Sequence, residues 1–295
     1  MRVWLGFVVA LASTVATVAQ APPSFSVRSD LVVLHVAVTD HRGAYTSGLN
    51  RDAFAVFEDG VQQPIVVFGA EDSPATVGLL VDDSASMYGL RELVSVGAAA
   101  FAATSNRADE IFALTFNERV RRVLPEATPF TSDPDVLRAS LQTAIGARGR
   151  TALYDAVSSG LEQLSLGVHS RKVLVVLSDG GDNASTTTME QMVAAATASN
   201  TVIYTIALRD PDDASARPKL LKKMAQSSGG MAFEPHSPAG VGDAFSRVAR
   251  DIRASYSIAY APSQDGAARR QVRVTARAPD GAKLAARTRA EYIAR

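Results

Sequence analysis

The chain has 295 residues, nearly half of them apolar, with 30 basic and 30 acidic side chains and no cysteine. That length and apolar content suffice for one large or two modest packed domains and exclude a disordered tail. A balanced charge gives no electrostatic ground for binding nucleic acid, and the lack of cysteine rules out disulfides, thiolate metal sites and a lipid-modified cysteine.

The first stretch, MRVWLGFVVALASTVATVAQAPP, sets Arg2 before an acid-free apolar run that closes on the small residues Thr17-Val18-Ala19. This is the pattern of a secretory signal peptide, predicted over residues 1–19 with cleavage after Ala19. An uncleaved anchor through Trp4 to Val18, near the lower limit for spanning a membrane, is the alternative. Removing residues 1–19 takes away one base, Arg2, and no acid, so the net charge moves from zero to −1. The expected product is secreted or periplasmic, without a stable membrane span once the signal is cut.

Residues 26–72 read as an N-terminal β segment. In LVVLHVAVTD, Val32, Leu34, Val36 and Val38 alternate and so share one face of an extended chain. His41-Arg42-Gly43 supplies a turn. The runs FAVFE and IVVF flank Asp59-Gly60, a hairpin signal because both residues tolerate positive φ.

From about residue 75 to 253 strands alternate with helices. Strands are predicted at 77–82, 109–116, 173–178 and 202–208, and helices at 87–103, 133–145, 152–165, 187–198, 217–227 and 239–253. Leu153, Val157, Leu161 and Leu164 recur at the spacing of one buried helical stripe. Near-continuous apolar strands with helices between them imply an α/β, Rossmann-like, doubly wound and mostly parallel sheet covered on both faces.

Residues 255–295 return to strand grammar, broken by Pro262, Asp265-Gly266 and Asp280-Gly281. Val272, Val274 and Ala276 face one way, while Arg273, Thr275 and Arg277 face the other. A few short strands cannot bury enough area alone. The two β segments are therefore expected to pair into one small β-sandwich, with the α/β domain inserted between them.

The chemistry-bearing feature is VGLLVDDSASMYG, an apolar strand that ends in acids and hydroxyls. Asp82, Ser84 and Ser86 alternate, so an extended turn can point one carboxylate and two hydroxyls into a common space. Oxygen-only donors suit a hard divalent cation. The competing reading is a helix N-cap, since serine and aspartate are favoured there. Thr151, in GRTALYDA, and Asp179, in LSDGGDN, sit at two further strand or loop ends and each has a similar bland reading, a cap and an Asp-Gly turn. Three such features at one sheet edge favour a shared site.

Together these residues resemble the von Willebrand factor type A (VWA) domain, whose metal-ion-dependent adhesion site is D-x-S-x-S after the first strand, a threonine in a later loop and an aspartate after a central strand. The resemblance covers about residues 75–253. It implies a metal site of Asp82, Ser84, Ser86, Thr151 and Asp179, with the hydroxyls as direct ligands and the aspartates direct or acting through water. The implied cation is Mg²⁺, with Mn²⁺ or Ca²⁺ as alternatives, and the implied partner is a protein that offers an Asp or Glu carboxylate. The flanks resemble those of a bacterial group of exported VWA-related proteins, a likeness of architecture more than of function; the metal site that the VWA resemblance implies points to an adhesion-type, protein-binding module, and no enzyme is expected.

A Mg²⁺-dependent hydrolase is the alternative, because carboxylates at a strand end also serve that chemistry. The chain lacks a G-x-S-x-G elbow, a P-loop and a D-x-D after the first strand. A permanent structural component of an envelope assembly is the third reading. Asp83 and Asp182 are expected to be solvated or turn-forming, with tuning of the site's charge as the alternative, Asp210, Asp212 and Asp213 lack the spacing of a calcium loop and read as a turn and helix cap, and the four histidines form no metal spacing. His35 is expected to be structural, and Arg150 to be solvated or to steer an acidic partner.

Overall fold

The computed structural model describes residues 31–146, 149–208, 216–262 and 269–294, without the side chains of Ser86, Tyr88, Leu90, Arg91 and Pro238. The predicted signal, the Asp210, Asp212 and Asp213 loop and the Asp265-Gly266 turn lie outside the described residues.

The N-terminal β segment forms β1 (Val32–Thr39), β2 (Phe54–Glu58), β3 (Val61–Gln63) and β4 (Ile65–Gly69). All four alternating β1 residues, Val32, Leu34, Val36 and Val38, are buried as expected. Asp59 and Gly60 both have positive φ, 47° and 84°, and turn β2 into β3. The hairpin partner of β2 is β3 and not the IVVF run. Pro64, which has no N–H for a ladder, separates the two, and Ile65–Gly69 pairs instead with a strand from the far end of the chain.

The middle of the chain contributes β5 (Ala75–Asp82), β6 (Glu110–Phe116), β7 (Val120–Arg122), β8 (Arg171–Ser178), β9 (Thr201–Ala207) and β10 (Ala232–Phe233). Between and after these run α1 (Arg91–Thr104), α2 (Pro134–Ala144), α3 (Leu153–Ser165), α4 (Met189–Ala198), α5 (Pro218–Ser228) and α6 (Pro238–Arg253). The sheet order is β10-β9-β8-β5-β6-β7, parallel except for the β7 edge. Every residue of β5 is buried, as a strand covered on both faces requires. On one face Val77, Leu79 and Val81 pack with Phe101 and Phe245; on the other, Leu80 packs with Phe112, Leu153 and Val157. Gly78 permits the second packing, because a Cβ there would lie 2.4 Å from the Phe112 ring. The expected helix over 87–103 begins instead with a 3₁₀ turn, Ala85–Leu90, before α1. β7 and β10 were not expected: they are only two or three residues long, too short for a period to show.

The chain closes with β11 (Ser255–Tyr260), β12 (Arg269–Arg277), β13 (Lys283–Arg287) and β14 (Glu291–Ile293). The two β segments pair with each other, as expected. Val36 lies opposite Tyr256 and Val56 opposite Val274, and the strand order is β3-β2-β12-β13-β1-β11-β4 with β14 beside β12. The two halves face each other across one core. Phe54 of β2 packs against Tyr256 of β11 with ring centroids 5.0 Å apart and the rings tilted by 57°, and the buried Glu58 accepts hydrogen bonds from the hydroxyls of Tyr260 (2.8 Å) and Tyr292 (2.7 Å).

The β module is bonded to the N-terminal end of the α/β sheet. Arg171, the first residue of β8 and 3 % exposed, donates to the carbonyls of Ile252 (2.9 Å) and Ser255 (2.6 Å). Asp251 near the end of α6 is fully buried and binds Arg287 of β13, the Tyr204 hydroxyl (2.6 Å) and the Tyr45 hydroxyl (2.6 Å).

Candidate metal centre

The position of the candidate residues follows from topology. β5 leads through α1 to β6 on one side, whereas β8 leads through α4 to β9 on the other, so the winding reverses between β5 and β8. Loops diverge there and leave a crevice beyond the strands' carboxyl ends. Asp82 is the last residue of β5 and Asp179 follows directly on β8. Asp82, Asp83, Ser84, Thr151 and Asp179 are all at most 6 % exposed.

Asp82 is held from two sides. The Ser84 amide donates to Oδ1 at 3.0 Å and the Ser178 hydroxyl to Oδ2 at 2.6 Å. Burial pushes the Asp82 carboxyl up to about 6; hydrogen bonds from Ser178 and Ser84 oppose the rise and the like charge of Asp179 adds to it. Asp179 accepts from the Gly181 amide at 2.7 Å, and Gly180, at φ 85°, turns the chain so closely under Arg217 that a Cβ would lie 2.6 Å from its carbonyl oxygen. The Asp-Gly turn expected of Asp179 is therefore present alongside its position at the crevice.

Thr151 reaches the same edge through its backbone. Its amide donates to Asn183 Oδ1 at 2.8 Å and its carbonyl accepts from the amides of Asn183 (2.9 Å) and Ala184 (3.0 Å), which ties it to the loop after Asp179. The next residue, Ala152, donates to the Asn117 carbonyl at 2.7 Å, at the end of β6. Thr151 does not cap α3: Ala152 occupies the cap position, and the amides of Tyr154 and Asp155 are met by the Ser185 hydroxyl at 3.1 and 3.2 Å. Ser84 opens the 3₁₀ turn, its carbonyl accepting from Met87 at 3.1 Å. Ser86 lies in that turn, with its side chain outside the described residues.

Asp83 departs from expectation. It is 1 % exposed and accepts from the Gly146 amide at 3.0 Å, because the main chain at the end of β5 turns it inward against the loop after α2. Asp182 is the expected turn former, accepting from the Ser185 hydroxyl at 2.6 Å. Arg150 is exposed, with its guanidinium 3.4 Å from the Asn183 carbonyl. His35 sits in β1, where burial and then the charges of Arg171 and Arg289 hold it down to about 3.

Ser178 and Asn183 are the residues that sequence reasoning missed. Ser178 ends an apolar strand, and its only signal was adjacency to Asp179. Asn183 lies in the quoted LSDGGDN motif, but its bond to Thr151 spans 32 residues.

The side chains of Asp82, Ser84, Thr151 and Asp179, buried at this sheet edge, offer carboxylate and hydroxyl oxygens without nitrogen or sulfur, a set whose chemistry fits a hard divalent cation. No group of three or more His, Cys, Asp or Glu that could hold a metal gathers among the described residues, so any cation here would rely on hydroxyl oxygens as well as carboxylates. The sequence profile of the von Willebrand factor type A domain matches residues 77–247. The chain belongs to this family.

No curated protein matches the chain. Among solved structures, a von Willebrand factor type A protein from Catenulispora acidiphila is similar at 13 % identity, covering 90 % of this chain and 72 % of that one, with a TM-score of 0.51. The vWF domain of the type V pili tip protein Mfa5 from Porphyromonas gingivalis is similar at 14 % identity, covering 62 % and 96 %, with a TM-score of 0.49. An aerotolerance-related membrane protein from Bacteroides fragilis is similar at 14 % identity, covering 61 % and 98 %, with a TM-score of 0.47. At such identities the likeness concerns the VWA fold. No helix among the described residues is long and apolar enough to cross a membrane.

Proposed function

We propose that this VWA protein is an exported, adhesion-type binding module that captures a carboxylate of a partner protein at a metal-ion-dependent adhesion site. The observation that carries this reading is geometric: Asp82, Ser84, Thr151 and Asp179 lie buried together beyond the carboxyl ends of β5 and β8, and the Asp82 carboxylate is held there by the Ser84 amide and the Ser178 hydroxyl. Such a carboxylate is stabilised by a cation beside it. In this proposal Ser84, Ser86 and Thr151 supply hydroxyl oxygens, and Asp82 and Asp179 supply charge directly or through water. Mg²⁺ is the proposed ion, with Mn²⁺ and Ca²⁺ as alternatives. When bound, it supplies an electrophilic position for an incoming Asp or Glu carboxylate. The loops around the crevice then discriminate among partners.

Export rests on the amino-terminal pattern over residues 1–19. The test is a pull-down from envelope extract with the mature chain in Mg²⁺ or EDTA, repeated with the double variant Asp82→Ala, Ser84→Ala. Partner retention in Mg²⁺, lost in EDTA and in the variant while circular dichroism is unchanged, is expected. A partner that stays bound in EDTA and to the double variant overturns the proposal.

A further inference from the structure

At the opposite pole from the metal centre lies a cleft of about 690 Å³, between α6, β13 and the loop that follows β1. Its volume is that of a small-molecule site. One wall is rigid. Both oxygens of Asp251 are engaged, Oδ1 by the Tyr45 hydroxyl, Oδ2 by the Tyr204 hydroxyl and both by Arg287, which also donates to the Gly229 carbonyl. The charges of Asp251 and Arg287 therefore cancel locally.

What remains facing the cleft is cationic. Arg247 and Arg250 stand one turn apart on the same side of α6. Arg247 lies over the Phe233 ring with its guanidinium carbon 5.4 Å from the centroid, and Arg250 donates through Nε to the Ser246 carbonyl at 3.3 Å. Neither makes an ion pair among the described residues. The rest of the lining is small or apolar, chiefly Met231, Ala285, Ala286 and the ring of Tyr45.

We propose that this cleft binds a small phosphate monoester with an apolar body, its dianionic head on Arg247 and Arg250 and its body against Met231, Ala285 and Tyr45. Two arginines match two negative charges, and guanidinium forks match phosphate oxygens better than ammonium groups do. The apolar lining adds affinity that a bare anion does not gain. The site is independent of the cation centre and of its function.

The test is calorimetric titration of the full mature chain in EDTA with 1-naphthyl phosphate, inorganic phosphate and 1-naphthol. Saturable binding of 1-naphthyl phosphate is expected, with the other two probes weaker by about tenfold or more. Arg247→Gln and Arg250→Gln should each weaken it by about tenfold, and Ala285→Leu, at an exposed position, should block the apolar side without touching charge. Ser84→Ala should leave it unchanged. Absence of saturable binding at millimolar 1-naphthyl phosphate, equal affinity for inorganic phosphate, or indifference to both arginine variants overturns the proposal.

Discussion

The two ends of the α/β sheet each bury an aspartate, and they treat it differently. At the strands' amino end, Asp251 is fully enclosed, and the chain supplies its counter-charge in Arg287 with two tyrosine hydroxyls beside it. At the carboxyl end, Asp82 is 1 % exposed and is met by the Ser178 hydroxyl and the Ser84 amide, with Asp179 adding like charge. The first arrangement is complete within the protein and fastens two modules together. The second raises the carboxyl's proton affinity, and under the proposed function its ionised form gains from a cation brought from outside.

The sharpest way to break this comparison is to remove the internal cation. Arg287→Ala leaves Asp251 buried against two tyrosines, and urea denaturation should show a loss of about 3–5 kcal/mol. Asp82→Asn, measured in EDTA, should cost little or raise stability, since it removes a buried charge and its repulsion by Asp179. If the two substitutions cost the same, the two ends are not distinct.

Next in size is the response to Mg²⁺. At a hundredfold excess over its dissociation constant, a cation that binds only the folded chain adds about 2.7 kcal/mol, read as a rise in Tm over EDTA. Asp82→Asn should remove that rise, whereas Arg287→Lys should lower both baselines and keep the difference.

The pH dependence follows in sign. Because the folded Asp82 carboxyl lies near 6, above its ordinary value, the folded state holds the extra proton between about pH 4 and 6. In EDTA this group favours folding below that window, and its contribution is lost as pH rises through 6. In Mg²⁺ the order reverses, since the proton and the cation compete, so the Mg²⁺-induced rise in Tm should shrink as pH falls below about 6. A rise that stays constant from pH 7 to 5 would detach Asp82 from cation binding.

The smallest effect is expected from Ser178→Ala, which removes the 2.6 Å hydrogen bond that orients Asp82. Mg²⁺ affinity should fall by about tenfold while the EDTA baseline barely moves, as for other outer partners of metal ligands.

Local rules made much of this legible from sequence. The β1 alternation, the α3 stripe and the positive-φ pair at Asp59-Gly60 are properties of a few neighbouring residues, and each appears where expected. The candidate site was readable because strand ends punctuate the sequence, so Asp82, Thr151 and Asp179 each stood beside an apolar run or helix start. What escaped was decided over long separations. The pairing of β4 with β11 depends on Pro64 and on a strand about 190 residues further along. Nothing local to Arg287 points to Asp251, 36 residues earlier in the chain, and Ser178 reads as the last residue of a strand until Asp82 lies across from it on the neighbouring one.

The position of β1 between β11 and β13 bears on the order in which the molecule assembles. Val32 finds its partner at Tyr260 and Val38 at Ala286, so β1 is among the first strands made and among the last to be paired. The α/β body, whose parallel strands are neighbours at shorter separations, can condense while β1 still waits with open edges. A chain threaded amino end first across a membrane would expose that apolar strand on the far side throughout transit, making it the segment most in need of a chaperone's cover.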